Sequence, residues 1–202
     1  MIKKVALTLF ALIALTILAI FGIASMRPDT FRIERKIVMK AAPATIYLIA
    51  NDFNHWTKWS PWEALDPDMK KNIEGPGVGV GAVYTWSGND KVGEGKMSIL
   101  ESTPDSRVGM QLQFIKPFQA TNNVEIQIAP VEGGSEVTWA MSGTNNMMAK
   151  VMSLFMNMDQ TVGKDFETGL ANLKVLAESQ PPPPPPGNPA ESMGAGGKIV
   201  TD

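Results

Sequence analysis

The sequence predicts an α+β domain in which a curved antiparallel sheet wraps a long C-terminal helix, preceded by one N-terminal transmembrane helix. Three observations carry this expectation. Val5 to Met26 is a run of 22 residues without a charge. Strand-length segments then follow one another at hairpin spacing between residues 82 and 142. After Val162 the apolar period changes from two to that of an amphipathic helix.

The first run is about 33 Å long as a helix, against a hydrocarbon core of about 30 Å. Lys3 and Lys4 precede it and Arg27-Pro28 closes it. It reads as a signal anchor. The competing reading is a cleaved signal peptide, with Gly22-Ile23-Ala24 as a weak small-x-small site. The short basic start favours the N-terminus inside, whereas Arg27, Arg32, Arg35, Lys36 and Lys40 pull the other way. The expectation is a single-pass protein of a bacterial inner membrane with its domain outside the cytoplasm.

Three parts follow: an anchor or signal over 1–27, a folded domain over 28–179, and a Pro/Gly-rich tail over 180–202. Pro181 to Pro186 are six consecutive prolines, an extended polyproline II segment running into a Gly/Ala/Ser stretch. The tail reads as a disordered spacer or as a ligand for a proline-binding protein partner.

Within the domain, Phe31, Ile33, Arg35, Ile37 and Met39 fall on one face, with Arg32, Glu34 and Lys36 on the other, and predict a half-buried strand. Pro43 suits the first turn of a short helix over about 44–51. Three tryptophans, Trp56, Trp59 and Trp62, then fall within seven residues. They suit a pocket mouth, a membrane interface, or a loop pinned to the core. A glycine-rich loop over 75–81 feeds a strand over 82–87. Further strands are expected over 93–101, 107–115, 120–129 and 135–142, with turn-like separators such as Ser102-Thr103-Pro104-Asp105 and Glu132-Gly133-Gly134. Val162, Phe166, Leu170, Leu173 and Leu176 predict the closing helix, and the Met-rich Met147–Met158 stretch predicts a short helix or flap that gates the interior.

Composition excludes several chemistries. The chain has no Cys and one His, which removes disulfides, thiolate sites and multi-His metal centres. Residues 30–179 hold 14 basic against 17 acidic side chains, a net charge of −3 that gives nucleic acid no footing. No cofactor is expected. Gly77-Val78-Gly79-Val80-Gly81-Ala82 matches a dinucleotide fingerprint in letters, but it leads into a strand and not a helix.

Period two collects an inner face of Val80, Ala82, Tyr84 and Trp86; Met97 and Ile99; Val108, Met110, Leu112 and Phe114; Val124, Ile126 and Ile128; Val137, Trp139 and Met141. General acid–base catalysis needs a titratable group within reach of substrate, and this set offers Tyr84 at most. The layer is rich in Met and Trp, which suits an adaptable apolar cavity. Arg35 falls on the same side as the apolar residues of its strand. There it either meets a carboxylate or phosphate head group or extends outward to water.

The combination Phe53-x-x-Trp56-x-x-Trp59-Ser60-Pro61-Trp62, Gly75-Pro76-x-x-Gly79-x-Gly81-x-x-Tyr84-x-Trp86-x-Gly88, Gly93-x-Gly95-x-Met97, Val137-x-Trp139-x-Met141-x-Gly143 and Met158-Asp159-x-x-x-Gly163-x-Asp165-Phe166-Glu167-x-Gly169-Leu170-x-x-Leu173-Lys174 resembles the SRPBCC superfamily (START/Bet v 1-like). The likeness is to its polyketide cyclase/dehydrase branch and covers residues 31–178. It implies a helix-grip fold with a deep apolar cavity and ligands such as lipids, sterols or polyketides.

The resulting expectation is a membrane-tethered carrier or sensor for an apolar small molecule or lipid. The ligand would be lined by Trp62, Tyr84, Trp86, Met97, Met110, Leu112, Phe114, Trp139, Met141, Phe166 and Leu170, with Arg35 as a polar contact. The alternatives are a cyclase/aromatase-type enzyme, with Tyr84 or Arg35 polarising a carbonyl, and a ligand-free protein-interaction module.

Overall fold

A computed structural model describes residues 2–181. The predicted tail, from Pro182 onward, lies outside the described residues. Helix α1 covers Ile2–Ser25 and is long and apolar enough to cross a membrane. Its side chains are exposed nearly throughout, and Ala24 near its end is buried.

The chain then forms β1 (Thr30–Met39), α2 (Pro43–Ala50), the short α3 (Phe53–Trp56) and a 3-10 turn (Pro61–Leu65). Strands β2 (Lys70–Glu74), β3 (Val83–Ser87), β4 (Glu94–Thr103), β5 (Arg107–Lys116), β6 (Ala120–Val131) and β7 (Gly134–Thr144) follow. Helices α4 (Met147–Met152) and α5 (Met158–Glu178) end the described chain. The strands make one antiparallel sheet in the order β1-β7-β6-β5-β4-β3-β2, so the first strand joins the last beside α5.

The local reasons are visible in the sequence. Period-two burial places Gly95, Met97 and Ile99 of β4, and Val124, Ile126 and Ile128 of β6, on the concave side. Val80, assigned to that side by alternation, is exposed because it sits in the loop before β3, where Gly75, Gly77, Gly79 and Gly81 all take positive φ. Strand β2 escapes the pattern. Lys70-Lys71-Asn72-Ile73-Glu74 is nearly all exposed, as befits an edge strand whose lysines blunt further pairing. Asn146 and Asn157 cap α4 and α5 through side-chain oxygens that accept from Ala149 N and Gln160 N.

Helix α5 closes the concave face, and two glycines set how closely it lies. At Gly169 an added Cβ would sit 2.6 Å from Trp139 Cζ3 and 3.1 Å from Pro61 Cδ. At Gly163 a Cβ would overlap the guanidinium of Arg35, which crosses the helix at that point. Arg35 Nε donates to Glu167 Oε1 at 2.8 Å, and Nη1 and Nη2 reach Asp159 Oδ1 and Oδ2, both at 3.1 Å. Nη1 and Nη2 also donate to the carbonyls of Glu34 and Asp159 at 2.8 and 3.0 Å. The inward register of Arg35 thus joins β1 to α5. Its carboxylate partners belong to the protein's own helix.

The two glycines should respond differently to Ala. Gly169→Ala overfills a site walled by the buried Trp139, a cost of about 1–3 kcal/mol, against a helix-propensity gain of about 1 kcal/mol. It should lower stability, by up to roughly 2 kcal/mol. Gly163→Ala displaces one flexible, partly exposed side chain, so the two effects nearly cancel and the change stays within about 1 kcal/mol. Urea unfolding of both variants checks the contrast; equal losses would contradict it.

Candidate functional site

The tryptophan cluster fills most of the space between sheet and α5. Trp56 and Trp59 are buried, with Trp56 Nε1 donating to Ala50 O at 3.0 Å. Trp139 stacks on Phe166 with centroids 4.4 Å apart and 6° between planes, and Trp62 meets Trp139 edge-on at 5.7 Å. Each such aromatic pair adds about 0.5–1.5 kcal/mol beyond area burial. The filling is imperfect in polar terms, since the indole N–H groups of Trp59 and Trp139 have no hydrogen-bond partner among the described residues.

What the aromatics leave open is a cavity of about 170 Å³. It is lined by Trp56, Trp62, Met69, Tyr84, Trp86, Val92, Met97, Leu112, Phe114, Val124, Trp139, Met141, Val162 and Phe166, with Ser60, Glu63, Lys91 and Asp165 as polar neighbours. An engineered apolar cavity of about 150 Å³ takes up benzene, and drug-sized ligands occupy about 300–1,000 Å³. In this shape the space admits one ring or a short apolar chain, less than the deep cavity the family resemblance implies. Trp59, Trp139, Phe53 and Phe166 are fully buried in the surrounding core.

Trp62, Tyr84, Trp86, Met97, Leu112, Phe114, Trp139, Met141 and Phe166 line the cavity. Met110 and Leu170 are buried in the core and are not part of its wall, and Arg35 is engaged with α5. The Met147–Met158 segment, expected to gate the interior, contributes no lining residue and packs beside α1 instead. Glycine again shapes the wall: a Cβ at Gly95 would meet Trp86 Cζ2 at 2.5 Å, so the bare backbone lets the indole lie across β4. Trp86 Nε1 then donates to Val92 O at 3.0 Å and fixes the β3–β4 loop at the cavity edge.

Two carboxylates reach the cavity that strand alternation did not reveal. Glu63, on the 3-10 turn, accepts from the Tyr84 hydroxyl at 2.9 Å through Oε1 and pairs with Lys71 Nζ through Oε2. Burial, the nearby Glu63 charge and that hydrogen bond all raise the Tyr84 pKa, so its phenol stays protonated and donates. Asp165 stands three residues after Val162 and one before Phe166, so its helical spacing from Val162 was the available signal. Burial raises its pKa, opposed by the Trp62 side chain and Lys164. Among the described residues no cluster of His, Cys, Asp or Glu is arranged to hold a metal ion.

The sheet wrapped on α5 and the aromatic-walled cavity define an SRPBCC helix-grip domain. The chain belongs to the family described as polyketide cyclase / dehydrase and lipid transport, whose model matches residues 30–178. Similar solved structures include protein CV1439 from Chromobacterium violaceum, at 18% identity over 76% of this chain and 100% of that one, TM-score 0.54. The di-domain ARO/CYC StfQ of the steffimycin biosynthetic pathway matches at 10% identity over 74% of this chain and 51% of that one, TM-score 0.53. Ara h 8.0201 matches at 13% identity over 75% and 99%, TM-score 0.52. At these identities the likeness shows the fold. A search of curated protein sequences finds no match.

A carboxyl whose pKa is raised by folding favours the folded state at low pH and loses that contribution as pH rises through the folded value. For Asp165 the loss falls above its ordinary 3.8. Asp165→Asn should therefore gain on the parent protein between pH 4 and neutrality. Chemical denaturation at the two pH values tests this, and a gap that does not widen with pH would refute it.

Proposed function

We propose that this protein is a membrane-tethered carrier or sensor for a small apolar ligand, bound as one ring or a short chain in the cavity between sheet and α5. The observation that carries this reading is the composition of the wall. It is almost wholly aromatic, aliphatic and thioether, and the Tyr84 hydroxyl within it is already joined to Glu63, itself paired with Lys71. Binding of this kind draws on apolar burial, about 25 cal/mol per Å² of surface removed from water. The family's association with apolar ligands supports the reading, as does an N-terminal helix of membrane-spanning length. In this reading the domain spans residues 28–179 and α1 holds it at a membrane surface.

The cyclase/aromatase alternative asks Tyr84 to polarise a substrate carbonyl. That use requires the hydroxyl to leave Glu63, a bond strengthened by the acceptor's charge. Binding without turnover is therefore the favoured reading.

Uptake of an apolar fluorescent probe by the full chain in lipid nanodiscs tests the proposal. Saturable binding is expected, and Val162→Phe, which places a ring at the cavity edge from the half-buried face of α5, should weaken it at least roughly tenfold while leaving the thermal midpoint nearly unchanged. Binding that is unsaturable, or indifferent to this substitution, would overturn the assignment to this cavity.

A further inference from the structure

We propose that the end of the domain from which α1 emerges is a membrane-contact face, and that the ligand cavity lies at this end, next to the bilayer. The proposal rests on reading α1 as a membrane span.

Strand register places the relevant segments together. Thr30 at the start of β1 pairs with Thr144 at the end of β7, and Gly143 pairs with Asn122 near the start of β6. Phe114 pairs with Ala120 across the β5–β6 turn, while Glu94 faces both Lys116 and Ser87. The start of β1, the end of β7, the β5–β6 turn and the β3–β4 loop therefore share one end of the sheet. Trp86, Leu112, Phe114 and Met141 belong to this end, and so do Lys91 and Val92 of the β3–β4 loop, all of them around the cavity.

The span is held to the same end. Asn145 donates through its backbone N to Asp29 O at 2.7 Å and through Nδ2 to Pro28 O at 3.1 Å. The buried Lys150 of α4 pairs with the Asp29 carboxylate, and α4 packs on α1. The exit of α1 is thus fixed against the domain by contacts on both sides of the linker.

Around that exit, two segments distant in sequence expose large apolar side chains. Phe155 is 72% exposed, and Met148, Met156 and Met158 beside it are also exposed. Phe118 in the β5–β6 turn is 63% exposed. The turns at the other end of the sheet expose smaller side chains, with Val78, Val80 and Val131 beside the polar Pro104-Asp105-Ser106 and Glu132-Gly133. An apolar surface pinned beside the exit of a membrane span has the bilayer as its nearest apolar medium. Met and Phe suit burial about 5–10 Å into the boundary of head groups and acyl chains. Met158 precedes the cavity residue Val162 by one turn of α5, so the contact face adjoins the cavity wall. An apolar ligand would then pass between bilayer and cavity with a short exposure to water.

The chain has no native Cys, so single cysteines can carry a fluorophore in the full protein. Phe155→Cys and Met148→Cys test the face, both at exposed positions that leave the core intact. Ile13→Cys reports on the span. Val131→Cys, exposed at the other end of the ten-residue β1–β7 ladder and so about 30 Å away, reports background. In phosphatidylcholine nanodiscs, doxyl-labelled lipid should quench the labels at 13, 155 and 148 by roughly twofold or more, and leave the label at 131 bright. Quenching at 13 with 155 and 148 both at the level of 131 would overturn the contact face and leave the tether standing. A label at 13 that is not quenched would overturn the tether and this inference with it.

Discussion

Everything on the concave side of this protein depends on how closely α5 approaches the sheet. A side chain at residue 169 would press on the buried Trp139 and hold the helix away, and one at residue 163 would displace the Arg35 guanidinium; both positions are glycine. The close approach allows the Trp139–Phe166 stack and the five-bond reach of the Arg35 guanidinium onto α5 and its own strand. Glycine inside a helix costs about 1 kcal/mol relative to alanine. Here that cost is set against a buried aromatic cluster that a wider spacing would break.

The cavity is the remainder of this packing. Where Trp59, Trp139 and Phe53 sit, the space between sheet and helix is filled; toward the end where α1 joins, Met97, Leu112, Phe114 and Met141 leave a gap. Methionine walls adjust to a ligand's outline more readily than branched aliphatic ones. Polarity at the cavity edge is arranged in pairs: Tyr84 with Glu63, Glu63 with Lys71, and Asp165 beside Trp62. Burial raises the Asp165 pKa at the edge of this space.

The sheet and closing helix were legible because alternation and the change of period are written over many residues; the whole of β4 through β7 follows from them. Most of the cavity wall followed for the same reason, as period two selects a face. Met110 and Leu170 show the limit of that inference, since a face contains both core and cavity, and only packing in three dimensions separates them. Edge strand β2 left no apolar signal because edge pairing uses the backbone. Glu63 was hidden in a polar turn whose path past Tyr84 is a tertiary fact. Arg35 was placed on the correct face, but its partners lie more than 120 residues away on another element.

If the gap beside α5 is a ligand site and not a packing defect, a molecule should be found in it. The most direct measurement is native mass spectrometry of the full chain, released from nanodiscs after purification from its own host, with organic extraction of what accompanies it. One apolar molecule per chain is expected, carrying a ring or short chain that fits about 170 Å³. A chain that arrives empty, and stays empty when offered apolar compounds of that size, would contradict it.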